Sequence, residues 1–287
     1  MRRFFPFAAV ALLAFAAHAD ETMRHPLWQV DGDNATVYLL GSIHLLRPDD
    51  YPLADVIYAA YDDAESLLME LDLDDLDEIE MAKLINEMGR ADTSLKQMMG
   101  DEAFELAKQK ALLLGLDLNR LNEIEPWYAA LTVVNLQMMR LGFDPANGVD
   151  LHFATRAAED GKEIEGLETA RFQLSIFDDL PMDQQRELLL VSLDEAVELA
   201  DLVDDMVAGW KSGDSEQLET MLLESFQQFP DVYQEIIVDR NLRWTDVIEP
   251  LLDGNADVLV VVGALHLVGD DSVIAMLEDR GHTVRQH

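Results

Sequence analysis

"DVLVVVGALH", residues 257–266, is the most strand-like stretch in the chain. Five apolar residues, four of them valine, run without a polar break to Gly263. A strand with one wet face alternates polar and apolar residues; one buried on both faces does not, and that is the habit of parallel sheets covered by helices. Glycine allows a sharp exit from the strand. His266 follows three residues on. In open α/β sheets ligands bind beyond the carboxyl ends of the strands, so His266 stands where chemistry is expected.

The same phrase occurs at the other end of the chain. "YLLGSIHLL", residues 38–46, is again an apolar run, then Gly41, two residues, His44 and Leu45, with 266 − 44 = 222 residues between the histidines. None of the other five histidines has this context. If the two strands are neighbours, two imidazoles reach one crevice, the usual beginning of a metal site or an acid–base pair.

Working outward, short apolar or β-rich runs at 28–31, 36–40, 66–73, 163–168 and 257–262 read as strands, with a last short strand in "HTVRQH". Helical spacing fills 53–63, 75–88, 101–114, 126–140, 149–160, 169–178, 183–209, 214–226 and 270–280, and Pro230 opens a helix reaching about 252. The expected fold is α/β: a central mixed or mostly parallel sheet with a large helical insertion or cap, about 74–140 and 169–252, in a single compact domain spanning 20–287. The strands at 36–40, 66–71, 163–167 and 257–262 should share one sheet.

Three more residues invite attention. Glu70 lies inside the hydrophobic run "SLLMELDL" (66–73), where a carboxylate is costly unless paired, protonated or on a metal. Glu168 ends "KEIEGLE" in the same way. Arg240, in "VDRNLRW", is either a surface ion pair with a neighbour such as Asp239 or a cation of the site. Asp150, beside His152, reads as a helix cap. No H-E-x-x-H, G-x-S-x-G, P-loop or G-x-G-x-x-G motif is present.

The N-terminus "MRRFFPFAAVALLAFAAHA" (1–19) has two arginines, an apolar run and an A-x-A site, which predicts a signal peptide, export to the periplasm or beyond, and a mature start near Asp20. A retained anchor is the alternative reading. The formal charge is −37, and loss of Arg2 and Arg3 with the leader takes it to −39. Such a chain lacks the clustered cations that neutralise phosphates, so nucleic acid is excluded as a partner. With no cysteine, disulfides and thiol chemistry are absent, and any metal site must use His, Asp and Glu.

In order along the chain, "GSIH" (41–44), Glu70 in "LLMELDL", "GVDLHFATRAAEDGKEIEGLET" (148–169), Arg240-Asn241 and "GALH" (263–266) resemble the TraB/GumN family, which is itself similar to the Tiki proteases. Asp150 and Glu168 fall at that family's acidic positions. The resemblance implies a fold like that of the erythromycin esterases and haem-binding ChaN-like proteins. For the Tiki branch it implies metal-dependent peptide hydrolysis that needs both motif histidines and the glutamate. Several bacterial members carry a cysteine pair that this chain lacks.

The expectation is therefore an exported metallopeptidase. His44, Glu70 and His266 would hold a divalent ion, with Mn, Co and Zn not distinguished. Glu168 would be a further ligand or base, and Arg240 would steady an oxyanion. Its partner would be a peptide or small-molecule substrate. One alternative is a metal-free esterase-like hydrolase using His44 as base. Another is a peptide- or haem-binding protein without turnover.

Overall fold

The computed structural model of the protein describes residues 24–73, 78–226 and 229–287. The leader reading of residues 1–19 lies outside them. Six strands form one mixed sheet: β1 (Leu27–Asp31), β2 (Thr36–Ser42), β3 (Ser66–Leu71), β4 (Glu163–Glu168), β5 (Val258–Gly263) and β6 (Val284–Gln286). Their order is β4-β3-β5-β2-β1-β6. β2, β3, β4 and β5 run parallel, while β1 lies antiparallel between β2 and β6. The strand read first, β5, is thus central, with all of Val258–Val262 buried.

Helices α1 (Asp55–Asp63), α2 (Glu78–Gly89), α3 (Leu95–Met99), α4 (Asp101–Leu113), α5 (Pro126–Arg140), α6 (Val149–Asp160), α7 (Ala170–Asp178), α8 (Met182–Lys211), α9 (Ser215–Phe226), α10 (Pro230–Tyr233), α11 (Asp239–Ile248) and α12 (Val273–Asp279) complete the unit. α1 and α6 carry β2, β3 and β4 through crossover connections. The helices between β4 and β5, together with α2–α5, form the predicted cap. α8 buries Leu189, Leu193, Ala196, Val203, Val207 and Trp210 along one stripe. Its first half encloses a second core with α3, α4 and α5 through residues such as Leu95, Phe104, Ala107, Ala130 and Val133. Its last turn joins the sheet, where Trp210 Nε1 donates to Gly41 O at 2.7 Å.

Several boundaries differ from the sequence reading. α1 starts at Asp55 rather than 53, and β3 ends at Leu71 rather than 73. The last helix is shorter, because Ser272 caps it by accepting from Ala275 N. The helix expected from Pro230 to about 252 is broken. A π-helical stretch, Gln234–Val238, separates α10 from α11, and Glu249–Asp253, carrying Pro250, tightens to a 3-10 turn. Single π turns recur at functional sites, and this one ends two residues before Arg240. α3 was not legible from periodicity; Ser94 and Gln97 cap it reciprocally. No helix among the described residues is long and apolar enough to cross a membrane.

Candidate functional site

Parallel pairing puts the carboxyl ends of four strands on one rim. Ser42 is opposite Gly263, Met69 opposite Val261, and Leu71 opposite Glu168. His44 lies two residues beyond β2. His266 sits in the 3-10 turn Ala264–Leu267 directly after β5. The paired glycines have a steric reason. A Cβ on Gly41 would stand 3.0 Å from Ala264 Cα, so glycine lets the second motif's turn cross the first. A Cβ on Gly263 would stand 3.2 Å from Glu70 Oε1, 3.6 Å from His266 Cδ2 and 4.0 Å from His44 Nε2. Gly263 therefore keeps open the space on which the three predicted ligand residues converge.

His44 is at the mouth, with its side chain 58% exposed. Its Nδ1 lies 3.0 Å from Asp150 Oδ2, which assigns the proton to Nδ1 and turns Nε2 toward the cavity. The N-cap of α6 is Gly148. Asp150, in the first turn, holds the histidine instead of capping. Burial opposes protonation of His44, but the hydrogen bond and charge of Asp150, with the charge of Glu70, raise it to about 9. Solvent at the mouth screens part of that effect.

His266 is buried behind the rim. Its Nδ1 is 2.6 Å from Asn241 Oδ1, and the Asn241 amide nitrogen donates to Asp271 O. The Asn241 oxygen thus faces the ring, Nδ1 carries the proton, and Nε2 accepts from Arg240 Nη1 at 3.1 Å. Burial, with the nearby Arg240 charge, depresses His266 to about 3 against the pull of Glu70, so the ring is neutral.

Arg240 is 6% exposed and lies over the Trp244 ring. Nη2 donates to Glu70 Oε2 at 2.7 Å, Nε to Glu168 Oε2 at 2.9 Å, and Nη1 also to Ile236 O at 3.2 Å. Arg240 is thus no surface pair with Asp239: it is buried among Glu70, Glu168 and His266. Glu70 Oε1 accepts from Gly263 N at 2.7 Å. Burial would raise the Glu70 carboxyl, but His266, His44, Arg240 and the Gly263 N–H hold it down at about 2. The Glu168 side chain is 4% exposed; its Oε1 has no hydrogen-bond partner but lies 3.6 Å from Arg243 Nη2. Gln173 Nε2 bridges Glu70 Oε2 and Glu168 Oε2 at 3.0 and 3.3 Å.

A cavity of about 210 Å³ opens here, lined by Ser42, His44, Glu70, Asp150 and Gln173 with Met69, Leu71, Leu73 and Val261. His266, Arg240 and Glu168 stand behind that wall. Ser42 Oγ and Asp150 Oδ1 are buried without a hydrogen-bond partner. Ser42 and Gln173 were missed by the sequence reading. Ser42 lies inside the first motif, which was a signal; Gln173 is one polar residue of α7 and carried none.

The donor types suit a divalent cation, but their arrangement does not. Among the described residues no three His, Asp or Glu side chains form a ligand set. Arg240 engages His266 Nε2 and Glu70 Oε2, and Gly263 N engages the other Glu70 oxygen. A metal ion on His266 Nε2 would need the one lone pair that Arg240 holds, whereas Glu70 Oε1 keeps a second lone pair beside the Gly263 N–H.

The chain is 26% identical over 244 residues to YbaP of Escherichia coli (strain K12), an uncharacterized protein, and the match covers 85% of this chain and 88% of that one. YbaP of Shigella flexneri matches to the same extent. No solved structure matches. The model of the TraB/PrgY/gumN family matches residues 26–286, and the chain belongs to that family.

Proposed function

We propose that the protein is an exported hydrolase of peptide or small-molecule substrates in which His44 is the proton-transfer residue. One observation carries this reading: an imidazole held by Asp150 at Nδ1 presents Nε2 to a small cavity that also contains Glu70. A base oriented by a carboxylate beside a cavity with room for water is the arrangement that water activation requires. Above its raised pKa, where Nε2 is free of its proton, His44 takes the proton of the attacking water and returns it to the leaving group. Ser42 lines the same cavity, and its buried Oγ, without a hydrogen-bond partner, would donate to the substrate's carbonyl oxygen on turning outward. Glu70 orients the water. Arg240 and Glu168 are positioning residues, because every Arg240 nitrogen is engaged within the network.

Metal-dependent peptide hydrolysis is the second reading. It is favoured by the convergence of His44, Glu70 and His266 on the space beside Gly263, and it needs Arg240 to release two of its acceptors. The leader-like residues 1–19 support a periplasmic or secreted location.

The test is turnover of a chromogenic ester series and a peptide library by wild type, His44→Ala and Asp150→Asn, with metal content measured on the same samples. General acid–base catalysis contributes roughly 100- to 10,000-fold, so His44→Ala should lose about that much. Stoichiometric metal lost in His44→Ala and His266→Ala together would move the assignment to the second reading. Substrate binding with no turnover by the wild type, metal-loaded or not, would make the protein a binding module.

A further inference from the structure

His44 and Asp150 are 106 residues apart in sequence, and Gly148 lies where their segments cross. The segments are stitched on either side of His44. Val149 N donates to Ile43 O at 3.0 Å, and Asp144 N donates to Leu46 O at 3.0 Å. Tyr51 Oη braces the intervening loop by donating to Asn147 O at 2.9 Å. The Gly148 backbone, φ −59° and ψ 145°, is one that any residue adopts, so its freedom is not what the site uses. What it lacks is bulk. A Cβ on Gly148 would stand 2.4 Å from His44 O, 2.9 Å from His44 C and 2.8 Å from Asp150 Oδ1. No hydrogen bond holds Asp150 Oδ1; it lies against Gly148, and Oδ2 faces the imidazole.

We propose, building on the reading of His44 as a proton-transfer residue held by Asp150, that Gly148 is the positioning residue of that pair. Its bare Cα is the seat on which the His44 backbone and the Asp150 carboxylate come within hydrogen-bond distance of each other. A methyl there meets a backbone oxygen, which has no rotamer to yield. Cβ atoms do not come within 3.0 Å of such atoms, so the segments must part by at least 3.0 − 2.4 = 0.6 Å. Taken up along the line between His44 and Asp150, that opening stretches a 3.0 Å hydrogen bond to 3.6 Å, where it is no longer one. Taken up by turning the Asp150 side chain, whose Oδ1 meets the same methyl, it carries Oδ2 off the ring. Either way the histidine loses its orienting carboxylate while the strands behind it stay in place.

The test is NMR of the His44 Nδ1 proton in wild type, Asp150→Ala, Gly148→Ala and Gly161→Ala, with melting temperatures and turnover on the same samples. Gly161 closes the other end of α6 at φ 71° with nothing near its Cα, so Gly161→Ala strains the same helix without touching His44. The expected result is a proton protected from solvent exchange in wild type and Gly161→Ala and lost in Asp150→Ala and Gly148→Ala. Both glycine variants should melt lower, but only Gly148→Ala should lose turnover, by roughly tenfold to a hundredfold. A folded Gly148→Ala that keeps the protected proton overturns the proposal and leaves the His44–Asp150 pair standing. A wild type without that proton overturns the pair itself, and the role of Gly148 with it. Should Gly148→Ala not fold, amide exchange of the wild type decides. The Val149 N–H should then be as protected as the amides of β2, and exchange at the rate of an open loop overturns the proposal.

Discussion

Replacing Arg240 by lysine keeps one positive charge and removes the planar fork. The guanidinium reaches Glu70, Glu168, His266 and the Ile236 carbonyl from three nitrogens pointing in different directions. A lysine ammonium has three donors on a single atom. Four acceptors against three donors leave at least one without its partner, and a buried orphan costs about 1–3 kcal/mol. Arg240→Lys should therefore destabilise the protein by roughly 1–3 kcal/mol. At about 2–4 °C per kcal/mol for large domains, melting should fall by roughly 2–12 °C. Arg240→Met leaves Glu70 without its cation and Glu168 with only Arg243 Nη2, 3.6 Å from Oε1, and breaking a buried pair costs about 3–5 kcal/mol. Adding Glu70→Gln to Arg240→Met should recover part of that loss, because the residues are in direct contact. The assay is thermal and denaturant unfolding of the four proteins, with bound zinc measured on each. Arg240→Met should bind zinc more tightly than wild type, since it frees His266 Nε2 and Glu70 Oε2. Wild-type melting in Arg240→Lys would refute the reasoning, because it would mean that the fork makes no buried contacts.

Three further outcomes follow from the site. His266 is depressed to about 3 and Glu70 to about 2. Both bind protons more readily when unfolded, so their stabilisation is complete above roughly pH 6.5 and is lost on acidification, His266 first and Glu70 below its usual range. Unfolding free energy against pH should show this decline, and His266→Gln should flatten its upper part. His44 has the opposite sign. Raised to about 9 by Asp150 and Glu70 against burial, it should titrate by NMR well above the ordinary imidazole value. Asp150→Asn should bring it down, and turnover that uses His44 as base should rise through that same pKa. Gly263→Ala should keep the fold and lose at least tenfold of any turnover, because its methyl would sit 3.2 Å from Glu70 Oε1 in the space where the three groups converge. Crystallographic fragment soaking of that variant should show the space filled.

What was legible in the sequence was what depends on local pattern. The unbroken apolar run of β5 announced a strand buried on both faces, and a central parallel strand is what formed. The doubled Gly-x-x-His phrase announced two histidines on one rim, because any two parallel neighbours deliver their carboxyl ends to the same side. Glu70 and Glu168 were legible because a carboxylate inside or ending an apolar strand has few inexpensive environments. The π-helical stretch before α11 was hidden, since periodicity does not separate 3.6 residues per turn from a single wider turn. Arg240 showed the limit most clearly. Its sequence neighbourhood fits a surface ion pair as well as a site cation, and only the fold brings Glu70, 170 residues earlier, within 2.7 Å of it. Local sequence determined which residues were candidates, because backbone geometry and burial act over a few residues. The tertiary structure alone decided that His44 and Glu70 line the cavity while His266, Glu168 and Arg240 stand behind it, because hydrogen-bond partnership between distant segments is set by how the strands are ordered.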